Sequence, residues 1–176
     1  MEKSIILHGH IPNKLFVYLK KNCYINLIMR KKVFRSYKEF SGYSTAFRQW
    51  RADSHCKYVH GYALRFKVWF EGDLDERNWV VDFGCFKRNG VKDWFKDQFD
   101  HTTCIAEDDP HIETFKGMEE SGLIQLRIMS DVGCEKFAEY VFEYLNEKIE
   151  VETEGRARVH KVQCWEHGEN MAEYRG

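Results

Sequence analysis

The chain reads as an α+β domain: an antiparallel four-stranded sheet with two helices on one face. Three observations predict it. Two strand-like stretches stand near the start, two segments of helical spacing follow in the middle, and two further strand-like stretches close the chain. Strands grouped in pairs around two consecutive helices leave one sheet face to be covered by a partner or by solvent.

From Lys32 to Phe47 the residues are rich in Val, Phe, Tyr, Ser and Thr. Phe34, Tyr37, Phe40 and Tyr43 do not keep a two-residue period, so the expected strand carries a bulge near Gly42. Next, Tyr62, Leu64, Phe66, Val68 and Phe70 alternate with Ala63, Arg65, Lys67 and Trp69, the period of a half-buried antiparallel strand. Glu71-Gly72-Asp73 turns the chain, and Trp79 to Phe83 reads as a short apolar strand ending. Gly84 to Phe99 places Phe86, Val91, Trp94, Phe95 and Phe99 near helical spacing, interrupted at Asn89-Gly90. The second helix is expected from Gly133 to Ile149, with Phe137, Val141, Tyr144, Leu145 and Lys148 in one stripe and Asp131 as a cap near its start. At the end, Val159, Lys161, Gln163 and Trp165 alternate with His160, Val162, Cys164 and Glu166. A turn at His167-Gly168-Glu169-Asn170 then leads into a short closing strand.

A length of 176 residues fits one domain with a core that needs no disulfide or structural metal. Two prolines and no low-complexity tract leave little support for an internal linker. The exception is residues 1–28, whose pattern follows neither helix nor strand. They are read as an upstream extension, with Met29 a second possible start and 29–176 the domain proper. His8-Gly9-His10, inside that stretch, is given little weight as a metal site. Six dispersed cysteines without a C-x-x-C pair suggest reduced thiols in a cytoplasm. The apolar run Leu15 to Leu19 is too short to span a membrane. A net charge of -1 gives no general attraction to nucleic acid or an anionic membrane.

Three constellations can carry chemistry. Cys56-Lys57-Tyr58-Val59-His60-Gly61-Tyr62 sets a thiol four residues before an imidazole at a strand entrance, a spacing that a packed cysteine and a hydrogen-bonded histidine also explain. Asp100-His101 joins a carboxylate to an imidazole that can relay a proton. Glu166, near a strand end, can accept two N–H donors from a pterin or guanine ring, or can be a solvated acid.

Together these residues resemble the 6-pyruvoyltetrahydropterin synthase and 6-carboxytetrahydropterin synthase family, over about Lys32 to Gly176. Tyr43-Ser44-Thr45-Ala46-Phe47-Arg48 is similar to the family's aromatic-Ser-Ala-Ala/Ser-His-Arg run, and Cys56 to Tyr62 to its Cys-x-x-x-His-Gly-His motif. Val80-Val81-Asp82-Phe83, Phe99-Asp100-His101, Gly133-Cys134-Glu135, Glu166 and Tyr174-Arg175-Gly176 follow its later motifs in order. The resemblance implies a tunnelling fold, a homohexamer of two trimers whose sheets join into barrels, and active sites between subunits. It implies that Cys56 is the proton-abstracting thiol, Asp100 and His101 its relay, Glu166 the anchor of the pterin ring, and Glu135 a second contact. The family's zinc is held by three histidines. Here Phe47 stands at the first position and Tyr62 at the third, leaving His60, with Tyr62 as phenolate, His55 or Cys56 as additional candidate ligands.

Three functions follow as expectations. The first is a lyase converting 7,8-dihydroneopterin triphosphate to 6-carboxytetrahydropterin, acetaldehyde and triphosphate for 7-deazaguanine and queuosine synthesis. The second is a metal-free module that binds a pterin or purine without turnover. The third is a divergent, zinc-independent reaction on the same substrate. Arg48, Lys57, Arg65 and Lys67 lie in or near the motifs as candidate triphosphate contacts or ordinary solvated charges.

Overall fold

The structure, a computed structural model, describes residues 33–176; the expectations for residues 1–28 lie outside them. Ten elements follow in order: β1 (Phe34–Phe47), β2 (His60–Gly72), α1 (Cys85–Arg88), α2 (Val91–Phe99), β3 (Thr102–Ala106), α3 (Ile112–Glu120), β4 (Leu126–Met129), α4 (Cys134–Glu152), β5 (Ala157–Trp165) and β6 (Met171–Tyr174). The sheet is six-stranded and mixed, in the order β4-β3-β1-β2-β5-β6. β2 pairs antiparallel with β1 and β5, and β5 with β6, whereas β3 runs parallel to both β1 and β4.

The expectation of a four-stranded antiparallel sheet is thereby corrected. Its four strands are present, and the unit β3-α3-β4 adds two parallel strands. All five residues of β3 are buried, so the polar-apolar alternation that marks the outer strands is missing from it. Its side chains point alternately to the two faces: Cys104 and Ala106 join the main core, while Ile105 packs with Phe115 of α3 and Leu126 of β4. α3 therefore covers the face opposite α2 and α4 at this edge, and the helices do not all lie on one side.

Gly42, at φ +89°, makes the expected bulge in β1, where the register with β2 shifts between Ser41 and Tyr43. The extra residue turns Phe40, Tyr43, Thr45 and Phe47 inward together. A second shift, between Trp69 and Phe70, skips His160 on β5 and puts Val159 on the buried face with Val162 and Cys164. The simple alternation expected there is broken by that residue.

Trp79 to Phe83 form no strand, and the helix expected from Gly84 breaks at Asn89-Gly90, where Gly90 sits at φ +76°. α4 starts after Gly133, and Asp131 does not cap it: its Oδ1 accepts instead from the Val132 amide at 2.9 Å. Phe137, Ala138, Val141, Leu145 and Ile149 form its buried stripe against β5, with Lys148 left outside. Each such large apolar side chain contributes roughly 1.5–3 kcal/mol on burial.

Candidate functional site

The register of β1 and β2 sets Phe47 opposite His60 and Thr45 opposite Tyr62. Phe47 is 1% exposed; it stacks on Tyr62 at 4.2 Å between ring centres and meets the edge of Phe137 at 5.1 Å. His60 lies 5.9 Å from Tyr62 and 5.8 Å from His55. Its Nδ1 donates to the Tyr58 carbonyl, which leaves Nε2 as the nitrogen with a lone pair. Among the described residues, no three His, Cys, Asp or Glu side chains gather as a metal-holding group. A catalytic zinc takes three protein ligands, so this corner, with a phenyl ring and a stacked phenol at two of the positions, does not fit one.

Cys56 stands next to this corner on a short 3-10 turn, His55–Lys57, whose cap is Ser54. It is partly exposed, whereas Cys85, Cys104, Cys134 and Cys164 are buried. Burial raises the Tyr62 phenol above its ordinary range, and the charges of Glu166, Cys56 and Cys134 push the same way. Tyr62 is therefore within electrostatic reach of both the thiol turn and the far end of β5.

At that far end, Cys134, Glu135, Glu166, Glu169, Asn170, Met171 and Ala172 line a cavity of about 420 Å³. Glu135 comes from the first turn of α4, and Glu166 follows β5 directly. Glu166 Oε2 accepts from Asn170 Nδ2 at a long 3.4 Å, and its side chain is 23% exposed, so the carboxylate retains capacity for further N–H donors. Beside the cavity, Cys164 Sγ donates to Cys134 Sγ at 3.5 Å, and burial pushes the Cys164 thiol well up, keeping it protonated. Cys134 thus lines the candidate cavity, although in the sequence it is marked only as the middle of Gly133-Cys134-Glu135.

Asp100 and His101 are joined as expected: His101 Nδ1 donates to Asp100 Oδ1 at 3.0 Å. The pair is fixed to β1 through the Ser44 amide, which donates to Asp100 at 3.3 Å, and the His101 amide, which donates to the Ser44 carbonyl at 2.7 Å. His101 has φ +60° and a side chain 78% exposed. Among the described residues, neither member hydrogen-bonds or ion-pairs with Cys56.

The four basic residues near the motifs are all engaged. Lys67 lies over Tyr37 at 3.8 Å, Arg65 over Trp165 at 4.3 Å and Lys57 over Tyr58 at 5.4 Å, while Arg48 pairs with Asp109. No helix among the described residues is long and apolar enough to cross a membrane.

The profile of the family described as 6-pyruvoyl tetrahydropterin synthase matches residues 36–176. A Pyrococcus abyssi protein provisionally named a 6-carboxy-5,6,7,8-tetrahydropterin synthase is 28% identical over 141 residues, 77% of this chain and 85% of its own length. Among solved structures, an uncharacterized protein from Wolinella succinogenes superposes with a TM-score of 0.70 at 19% identity, over 82% of this chain and 99% of that one. The 6-pyruvoyl tetrahydropterin synthase of Caenorhabditis elegans gives 0.54 at 21% identity, over 84% and 99%. That of Plasmodium falciparum gives 0.59 at 14% identity, over 83% and 99%. These structural likenesses establish the fold, and the profile match over most of the chain establishes the kinship: the chain belongs to the 6-pyruvoyl tetrahydropterin synthase family.

Proposed function

We propose that the chain is a lyase of the 6-carboxytetrahydropterin synthase type, acting on 7,8-dihydroneopterin triphosphate in the cytoplasm to feed 7-deazaguanine and queuosine synthesis. The observation that carries the reading is the acidic cavity that Glu135, Glu166 and Glu169 line at the end of β5. Glu166 accepts the amino and ring N–H groups of the pterin, with Glu135 as a second contact. Cys56 then takes a proton from the substrate side chain, and Asp100 and His101 relay it. Among the described residues the relay pair makes no hydrogen bond or ion pair with Cys56 of the same chain, and a homohexamer with sites between subunits would supply the pair from a neighbouring subunit.

No step is routed through zinc, because Phe47 and Tyr62 replace donors with a stacked aromatic pair. That stack also favours a second reading, a zinc-independent or non-catalytic pterin-binding member of the fold. The test is incubation with 7,8-dihydroneopterin triphosphate, with and without added zinc. Acetaldehyde and 6-carboxytetrahydropterin in stoichiometric amounts support the lyase. A different product identified by mass spectrometry supports zinc-independent chemistry. Binding by calorimetry without any product leaves the binding module.

A further inference from the structure

The loop that carries Cys56 is fastened from outside its own hairpin. Arg48, the first residue after β1, sends its guanidinium fork to Asp109 on the β3-α3 turn: Nε donates to Oδ2 at 2.7 Å and Nη2 to Oδ1 at 2.9 Å. The Asp109 side chain is 0% exposed, and its Oδ1 also accepts the His111 amide at 2.8 Å. Burial alone would raise this carboxyl, but Arg48 and the His111 amide hold it below the usual range.

The remaining Arg48 nitrogen, Nη1, donates to the Lys57 carbonyl at 3.3 Å, one residue past Cys56. The Gln49 amide donates to the Cys56 carbonyl at 2.9 Å, and the Cys56 amide to Ser54 Oγ at 3.3 Å. Next to Asp109, Asp108 accepts from Trp50 Nε1 at 3.1 Å and from Arg51. The thiol turn is thus held by its backbone, and its long-range tie runs through a buried ion pair to the β3-α3-β4 unit.

A buried ion pair gains little net stability, because desolvation of both charges offsets much of their attraction. It does impose direction, since a bidentate fork accepts one arrangement of carboxylate and guanidinium. We infer that Arg48 and Asp109 are positioning residues for Cys56: Asp109 fixes the Arg48 fork, and the fork fixes the carbonyl one residue beyond the thiol. The catalytic consequence rests on the reading of Cys56 as the reacting thiol; the geometric claim does not.

The test uses Asp109→Asn and Arg48→Lys in the full chain. Alkylation of each cysteine by iodoacetamide is followed by peptide mass spectrometry across neutral to alkaline pH. The buried Cys85, Cys104, Cys134 and Cys164 report general opening, and Cys56 reports the turn. Cys56 should be alkylated about fivefold faster or more in both variants while the buried thiols stay protected. If the wild type turns over the dihydropterin, kcat should fall about tenfold with KM little changed. Acceleration of all cysteines together, an unchanged Cys56 rate, or failure of both variants to fold would each reduce the pair to a structural tie. Because alkylation needs no turnover, an inactive wild type overturns the lyase reading and leaves this result standing.

Discussion

The two sides of the candidate site are built from opposite materials. At the β1-β2 corner, Phe47, Tyr62 and His60 form an aromatic run whose core-side member is 1% exposed. At the α4-β5-β6 end, Glu135, Glu166 and Glu169 line a cavity together with Cys134, whose Sγ accepts from the buried Cys164 thiol. An aromatic corner packs, whereas an acidic cavity is costly to leave without donors. The difference teaches that the two sides answer to different demands: packing at the corner, and hydrogen-bond donors for the acids at the cavity.

The sharpest way to break this comparison is to remove the Cys56 thiol beside the corner. Cys56→Ala should lower turnover by about 10³-fold, the middle of the range for a lost acid–base group, with pterin affinity kept. Equal activity in a product assay would show that the reaction does not use this thiol. Next, Phe47→His with Tyr62→His converts the aromatic corner into a three-imidazole set with His60. Loss of the buried phenyl should cost about 3 kcal/mol in denaturant unfolding without metal. Zinc should restore much of that and appear at one per chain in elemental analysis. One zinc per chain in the unaltered protein would contradict the corner as described.

On the acidic side, Glu166→Gln keeps shape and removes charge, and should weaken pterin binding by about 10- to 100-fold in calorimetry, the worth of hydrogen bonds to a charged group. The smallest effect is expected from acid. Hydrogen bonds from Lys161, Arg175 and Gln163 hold Glu173 down at about 2 against an ordinary 4.5, despite opposing burial, and so fasten β6 to β5. A depressed folded value means that this contribution is complete above pH 4.5 and fades as pH falls toward 2. The protection of β6 amides, corrected for the intrinsic pH dependence of exchange, should fall through that window in the wild type and fall less in Glu173→Gln.

Much of this was legible from residue patterns. β2 and α4 announce themselves by alternation and by a stripe, because each has one wet face. β3 and β4 do not, since β3 is covered on both faces and β4 is four residues long. The bulge at Gly42 was readable because aromatic residues three apart cannot share a strand face without an extra residue between them. The candidate residues Cys56, Asp100, His101 and Glu166 fall in loops or at element ends, whereas the hold of Asp109 on Arg48 crosses 61 positions and leaves no local trace. Asp108-Asp109-Pro110 is an acidic turn signal at most until its partner is known.

Gly42 also behaves like a frame marker. Everything from Tyr43 to Phe47, and through it the entry to the Cys56 loop, takes its inside-outside phase from one supernumerary glycine. Deleting it would leave a regular ladder with the same phase, whereas drawing Gly42 into the ladder would shift the phase by one residue, turning Tyr43, Thr45 and Phe47 toward the opposite face and Ser44 and Ala46 toward the core. Between Tyr43 and Phe47 an insertion or deletion would reverse the faces from that point on, whereas an exchange such as a ring for an imidazole leaves them as they are.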